Sequence, residues 1–138
     1  YISTLPSSPN GVLVQGDRLY IASWGTMSDR PEERAEWITK TAGDLYWVSL
    51  KDSKKVKNII VPELGNLDGV EIDQNGNIYV SDWESGELYK ISSGNKMVIG
   101  LGQYGQGLAD LGLNSFTGEL VLPIMLSNEV LFFTPSPE

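Results

Sequence analysis

The stretch NLDGVEIDQNGNIYVSDWESGELYKI, residues 66–91, contains three short apolar runs separated by turn-forming residues. The first run follows Asp68 and Gly69, the second follows the turn sequence QNGN, and the third follows ESGE. Runs of Val, Ile, Leu and Tyr bounded by Gly, Asn or Asp are typical of short strands joined by tight turns. A strand does not need a carboxylate at its start, so Asp68 has either a role in turn formation or a role in binding.

Two other segments repeat this three-strand pattern, PNGVLVQGDRLYIASWG at residues 9–25 and GLADLGLNSFTGELVLPIMLSNEVLFF at residues 107–133. Two of the three units add a fourth strand, VKNIIVP in one and KMVIGL in the other. Four-stranded units that recur roughly every 40 to 50 residues are typical of β-propeller blades. We therefore predict an all-β fold, a β-propeller of four-stranded antiparallel blades, with about three blades present as half of a six-bladed ring. Unrelated hairpins in a β-sandwich are the alternative.

The predicted organisation is a single β-propeller region over residues 1–138. Residues 1–5 form the outer strand of a preceding blade, residues 9–63 a blade with an insertion at 25–43, residues 66–101 a second blade, and residues 107–134 an incomplete last blade. Twelve strands result. Natural propellers typically have 4 to 8 blades, so the chain is either part of a longer propeller or pairs with a second copy of itself through its open strand edges.

The insertion GTMSDRPEERAEWITKTAG, residues 25–43, lies between the second and third strands of its blade. Ser28 or Asp29 can cap a short helix that has Pro31 and glutamates in its first turn. Long ordered loops often act as lids or binding loops, and a solvated decoration is the alternative. The lysines on the following outer hairpin indicate a solvated sheet edge; they are Lys51, Lys54, Lys55 and Lys57.

Composition excludes several classes of function. The net charge of −8 argues against nucleic acid as a partner, because phosphates require a basic surface. No apolar run approaches the roughly 20 residues that span a membrane, which predicts a soluble chain and leaves open a cytoplasmic, periplasmic or secreted location. The chain has no Cys and no His, so thiol nucleophiles, Ser-His-Asp triads and Cys/His zinc sites are excluded within it. A metal site must therefore be rich in oxygen ligands, which favours calcium, magnesium or manganese.

Asn10 and Asp68 are equivalent residues in two repeats, at the starts of successive innermost strands, and Ala109 is their counterpart in the third repeat. In a propeller these strand starts converge at one mouth of the central channel. Amide and carboxylate oxygens suit calcium and similar cations. The sequence therefore predicts that Asn10 and Asp68 share a metal ion. Turn formation by Asn and Asp before Gly is the alternative reading.

The phrases SPNGVLV, NLDGVEID and NGNIYVSDW resemble the senescence marker protein (regucalcin)/gluconolactonase superfamily over essentially the whole chain, as its C-terminal three blades. The resemblance implies a six-bladed propeller, in many members a metal-dependent lactonase. It implies that Asn10 and Asp68 are metal ligands, and that Asp68 also activates water or protonates the leaving group. The further ligands of the family, a Glu and usually an Asn from earlier blades, have no counterpart here. Asn10 and Asp68 alone are too few for a calcium shell of 6 to 8 oxygens.

Other side chains are expected near the same channel mouth. Trp24 and Trp83 end equivalent second strands, where they form either a substrate-stacking wall or wedges between blades. Asp82 supports a metal ligand, contacts substrate or accepts hydrogen bonds at the strand end. Tyr104, in the segment GLGQYGQG with Gln103 and Gln106, is expected to approach the mouth. We thus predict substrate-binding roles for Trp24, Trp83, Asp82 and Tyr104.

Two functions fit this pattern. The first is metal-dependent hydrolysis of a small-molecule lactone or ester, with Asp68 as the catalytic residue and a divalent metal, calcium first and magnesium, manganese or zinc as alternatives. The second is a non-catalytic binding or interaction propeller with a structural metal. In either case the expected partner that completes the site is the missing half of the propeller or a second copy of the chain.

Overall fold

The computed structural model describes residues 7–52, 54, 56–94 and 96–136. These residues form three antiparallel sheets in chain order, so the predicted all-β architecture is confirmed. The first sheet contains β1 (Ser8–Gln15), β2 (Arg18–Met27), β3 (Thr39–Ser49) and β4 (Asn58–Gly65). The second contains β5 (Leu67–Ile72), β6 (Ile78–Asp82), β7 (Glu87–Ile91) and β8 (Val98–Gln103), and the third contains β9 (Gly112–Leu113), β10 (Leu120–Ile124) and β11 (Glu129–Phe133).

The strands follow the predicted strand phrases closely. Eleven of the twelve predicted strands lie in the described part of the chain, and the predicted outer strand at residues 1–5 lies outside it. The third sheet has the order β11-β10-β9, with three strands as predicted. Its innermost strand is shorter than expected, because Leu108 makes only an isolated bridge to Ile124 before regular pairing begins at Gly112.

The chain divides into two compact units, Tyr1–Leu67 and Asp68–Glu138. The core of the first unit includes Ile21, Tyr46 and Val48, whose side chains are buried on its four-stranded sheet. In the second unit, one apolar layer joins the second and third sheets. Its buried members are Tyr79, Leu88, Leu108, Leu111, Leu120, Leu122 and Ile124. Burial of this layer, at about 25 cal/mol per Å² of apolar surface, holds the two sheets of the second unit together.

A close backbone approach between β5 and the start of the third sheet depends on Gly69. A Cβ at this position would lie 2.6 Å from the Leu111 nitrogen and 2.8 Å from Asp110 Oδ1. The buried hydroxyl of Ser81, on β6, accepts a hydrogen bond from the Gly69 nitrogen at 2.8 Å and donates one to the Ala109 carbonyl oxygen at 2.7 Å. One serine therefore ties the inner strand of the second sheet to the start of the third.

The insertion at 25–43 continues β2 and β3 at its two ends, so it is not a free loop. It contains a helix, α1 (Pro31–Ala35), with Pro31 at its start and Glu32 and Glu33 in its first turn, as predicted. The predicted cap is wrong, since Arg30 holds the N-cap position and makes no side-chain cap bond. Proline restricts the residue before it to an extended conformation, and Arg30 adopts it. No helix in the described ranges is long and apolar enough to cross a bilayer.

Lys57 does not belong to a solvated edge, which corrects that prediction. Its ammonium lies 2.5 Å from Asp44 Oδ2 and 4.5 Å from the centre of the Tyr46 ring, and only 20% of its side chain is exposed. The sequence places it among exposed lysines because its partners are more than ten residues away on β3. The ion pair fastens the outer hairpin to the third strand of the first sheet.

Candidate functional site

Asn10 occupies an irregularity in the first strand. Pro9 pairs with Ser23 and Gly11 pairs with Ala22, so Asn10 is the extra residue of a β-bulge. Bulges re-aim a side chain and are frequent beside active sites. The Asn10 side chain donates through Nδ2 to the Leu67 carbonyl oxygen at 3.2 Å. With the amide nitrogen engaged in this way, Oδ1 is the atom that Asn10 can offer to a cation.

Asp68 is half-buried near the start of β5. It directly follows Leu67, the acceptor for Asn10, and directly precedes Gly69, whose nitrogen is held by Ser81. The backbone on both sides of Asp68 is thus fixed by hydrogen bonds from side chains distant in sequence. Asn10 lies in the first unit and Asp68 in the second.

Trp24 contacts the insertion of its own hairpin. Its ring meets Trp37 edge-to-face with centroids 6.4 Å apart, and its indole nitrogen donates to the Trp37 carbonyl oxygen at 3.2 Å. Its own carbonyl oxygen accepts a hydrogen bond from Asn66 Nδ2 at 2.8 Å. Trp37 has a positive φ of 60° and is largely exposed, so the aromatic pair forms an edge of the hairpin tip.

Within the insertion, Ser28 organises the turn that leads into α1. Its hydroxyl donates to Glu33 Oε2 at 2.5 Å and accepts from the Arg30 nitrogen at 3.2 Å. Its carbonyl oxygen accepts from Arg34 Nε at 2.6 Å. Hydrogen bonds within the insertion therefore hold its backbone in one conformation. Trp37 follows this ordered turn and helix in the chain.

Asp82 is the last residue of β6, and Trp83 begins the turn between β6 and β7. Asp82 is 5% exposed, and its Oδ1 accepts from the backbone nitrogens of Glu84 at 3.0 Å and Ser85 at 3.1 Å. These bonds give the Asp82 side chain a turn-forming role. The Trp83 carbonyl oxygen accepts from the Gly107 nitrogen at 2.8 Å.

The end of β8 and the segment that follows it lie against the same turn. The backbone nitrogen of Tyr104 donates to the Gly86 carbonyl oxygen at 2.7 Å, and the Gln103 amide donates to the Ser85 carbonyl oxygen at 2.9 Å. Gln106 Nε2 donates to Glu84 Oε2 at 3.1 Å. The structure thus brings Asp82, Trp83 and the Tyr104 segment together at one end of the second unit.

The Tyr104 side chain packs against the apolar layer of the second unit. Its ring lies edge-to-face against Phe133, with centroids 6.1 Å apart. Burial raises the pKa of its hydroxyl above the ordinary value. These contacts give the Tyr104 side chain a structural role, because it packs against the edge of the apolar layer.

Sequence reasoning missed two carboxylates in the second unit, Glu71 on β5 and Asp110 in the segment just before β9. Burial raises the pKa of Glu71, and the negative charge of Asp110 raises it further, while a hydrogen bond from the Leu113 backbone acts in the opposite direction. The alignment of the repeats does not reveal that these two carboxylates are close, because Glu71 and Asp110 occupy different repeat positions. Their proximity depends on the close approach at Gly69.

Oxygen ligands suited to a hard divalent cation are present, but they are few. Within residues 7–52, 54, 56–94 and 96–136, no three or more Asp or Glu side chains form a group able to hold a metal ion. Asn10 and Asp68 have the right donor chemistry for calcium, and two side chains supply only part of a shell of 6 to 8 oxygens.

No protein-family model and no curated protein sequence matches the chain. Solved structures do. An auxiliary nutrient binding protein from Bacteroides thetaiotaomicron matches with a TM-score of 0.69 and 14% identity, over 93% of this chain and 28% of that one. Streptogramin B lyase matches with a TM-score of 0.50 and 12% identity, over 96% of this chain and 57% of that one.

These matches, with three successive antiparallel sheets of four, four and three strands, decide the architecture. The chain is a partial β-propeller. Its three sheets are blades, numbered one to three in chain order. The chain spans less than two thirds of the length of either solved structure. At these identities the similarity concerns the fold alone, and the activity of the blades is a separate question.

Proposed function

We propose that this partial propeller belongs to a metal-dependent hydrolase of small lactones or esters, similar to the gluconolactonases. The observation that carries the proposal is the setting of Asn10. Asn10 lies in a bulge, and its Nδ2 donates a hydrogen bond to the Leu67 carbonyl oxygen. Leu67 is the residue directly before Asp68 in the chain. Asn10 Oδ1 and the Asp68 carboxylate are hard oxygen donors on equivalent strand starts of two blades, where propeller geometry favours a shared cation.

In this proposal, Asn10 and Asp68 hold the ion together with water and with donors from outside this chain. The ion would supply Lewis acidity when bound. Calcium is the preferred candidate, and magnesium, manganese and zinc are the alternatives. Asp68 accepts a proton from water as the water oxygen adds to the substrate carbonyl carbon. The carbonyl-carbon to ring-oxygen bond then breaks, and the proton passes to the leaving alkoxide to give the hydroxy acid. Trp24, Trp83, Asp82 and Tyr104 remain candidates for substrate contact.

The test uses the full-length protein after chelator treatment. Calcium, magnesium, manganese and zinc are titrated separately while thermal stability and the hydrolysis of γ- and δ-lactones are followed. We expect at least one cation to raise the melting temperature and to switch on hydrolysis. Asp68→Ala should abolish hydrolysis and weaken the cation effect. Asp17→Ala, the same change at a half-exposed aspartate in the β1–β2 turn, serves as the matched control and should retain both.

The outcomes separate the two candidate functions. Stabilisation by a cation that depends on Asp68, with no hydrolysis of any lactone or ester tested, favours the binding propeller with a structural metal. Stability that no cation changes, together with absent hydrolysis, contradicts both.

A further inference from the structure

Two adjoining clefts lie at the end of the second unit opposite Asp68. The larger has a volume of about 380 Å³ and the smaller about 250 Å³, and both are lined by the turns that follow β5 and β9. Their shared lining residues are Asp73, Asn75, Thr117 and Gly118. Asp68 is the second residue of β5 (Leu67–Ile72), and the clefts begin where this strand ends. A strand rises about 3.3 Å per residue, so the clefts are roughly 15 Å from Asp68. They form a separate candidate site.

The walls of the clefts are rigid because Asp73 is fully engaged. Its Oδ1 accepts from the backbone nitrogens of Asn75 and Asn77, both at 2.9 Å. Its Oδ2 accepts from Asn77 Nδ2 at 2.9 Å and from the Tyr79 hydroxyl at 3.1 Å. Four bonds saturate the acceptor capacity of a carboxylate, so Asp73 shapes the wall rather than binding a ligand itself.

The turn after β9 is built in the same way. Asn114 Oδ1 accepts from the backbone nitrogens of Phe116 at 3.0 Å and Thr117 at 3.4 Å. Gln74 Nε2 donates to the Ser115 carbonyl oxygen at 2.8 Å and so ties the two turns together. The clefts are therefore preorganised, which lowers the entropy lost on binding.

The groups that face the larger cleft are mainly neutral hydrogen-bonding groups. In the described part of the chain, no hydrogen bond engages the side-chain amide of Asn75, and Thr117 uses its hydroxyl oxygen as an acceptor for Glu119 while its O–H can still donate. Further hydroxyls come from Ser93, Thr134 and Ser136. The charged side chains in the lining are one carboxylate, Asp73, and one ammonium, Lys90, so the formal charge of the lining is zero. This chemistry suits a neutral ligand rich in hydroxyls.

Phe116 lines the smaller cleft and is 98% exposed. An isolated exposed Phe is common on protein surfaces, but this ring stands beside amide and hydroxyl groups on a turn fixed by Asn114. A pyranose ring has an apolar C–H face and an edge of hydroxyls, which matches an aromatic wall next to hydrogen-bonding side chains.

From this combination we propose that the clefts bind a neutral sugar of one or two rings, with Phe116 stacked on a ring face and Asn75 and Thr117 bonded to its hydroxyls. The site lies at the end of the second unit opposite Asp68. It is independent of the proposed hydrolase function and would serve to hold a saccharide on the propeller.

The test is titration of the full-length protein with D-glucose, D-galactose, D-mannose, maltose and cellobiose, followed by calorimetry and by ligand-observed NMR. We expect saturable binding of at least one of these sugars. Phe116→Ala and Asn75→Ala should each weaken it about fivefold or more, the loss expected for one stacking contact or one hydrogen bond. Both residues are at the surface, so folding should be retained.

Phe132→Ala is the matched control, since it removes a second exposed aromatic ring that lines neither cleft. It should leave sugar binding unchanged, and so should Asp68→Ala, which separates this site from the proposed hydrolase site. The proposal is overturned by the absence of saturable binding to all five sugars. It is equally overturned by binding that stays within twofold in both Phe116→Ala and Asn75→Ala, or by binding that is lost in Asp68→Ala.

Discussion

At the scale of the residue, Asp73 shows how one carboxylate can fix a turn and carry a pH dependence. Burial opposes its ionisation, but the hydrogen bonds from Asn77, Tyr79 and Asn75 outweigh burial and hold the pKa of Asp73 below its ordinary value. A carboxyl whose pKa is lower in the folded state contributes stability above the unfolded pKa of about 3.9. That contribution is lost as the pH falls through the folded pKa.

We therefore expect Asp73→Asn to lower the free energy of unfolding at pH 7 by about 1–3 kcal/mol, the usual loss for hydrogen bonds to a charged group. The difference between wild type and variant should shrink as the pH drops from about 4 towards 2. Urea unfolding at a series of pH values measures it. A difference that is constant from pH 7 to pH 2 would show that ionisation of Asp73 contributes nothing.

At the scale of the element, the contact between β5 and the third blade depends on the missing side chain of Gly69. We expect Gly69→Ala to cost about 1–3 kcal/mol, because the new Cβ would lie against the Leu111 backbone, which cannot move aside like a flexible side chain. Gly112→Ala is the matched control on β9, where a Cβ meets nothing within 4 Å, and its effect should stay within about 0.5 kcal/mol. Chemical denaturation gives both values. Equal effects of the two substitutions would disprove the close approach.

The Lys57–Asp44 ion pair makes a second element-scale prediction. Lys57→Met keeps the apolar stem of the side chain but leaves the half-buried Asp44 carboxylate without its ammonium. We expect a loss of about 2 kcal/mol, between the values for exposed and buried pairs. Lys51→Met breaks an exposed pair with Asp17 and should change stability by less than about 0.5 kcal/mol. If the two variants melt alike, the pair at Lys57 is no stronger than a surface contact.

The sequence predicts the strands because their signals are local. Alternating Val, Ile, Leu and Tyr and the Gly, Asn and Asp between them place the strands of all three blades, and Pro31 with Glu32 and Glu33 places α1. The features around the candidate site are not local. The bulge at Asn10 is defined by register against β2, and the two bonds of Ser81 join residues 12 and 28 positions away. Such contacts become visible only when the partners of each strand are known.

At the scale of the whole molecule, the repeats alone predict the series Asn10, Asp68 and Ala109, and this series is the basis of the proposed cation site. The structure adds the bulge that holds Asn10, the Ser81 bonds beside Asp68, and the neighbouring carboxylates Glu71 and Asp110. It also gives Asp82 and Tyr104 structural contacts that the repeats could not reveal. The pairing of Asn10 and Asp68 around one ion is the central claim.

Anomalous diffraction from crystals of the full-length protein soaked in Mn²⁺ tests this claim most directly. We predict one strong anomalous peak within about 2.0–2.6 Å of both Asn10 Oδ1 and an Asp68 carboxylate oxygen, the range of oxygen–cation distances in such sites. Crystals of Asp68→Ala should lack the peak. A saturating soak that leaves no peak between Asn10 and Asp68 in the wild-type protein would contradict the account.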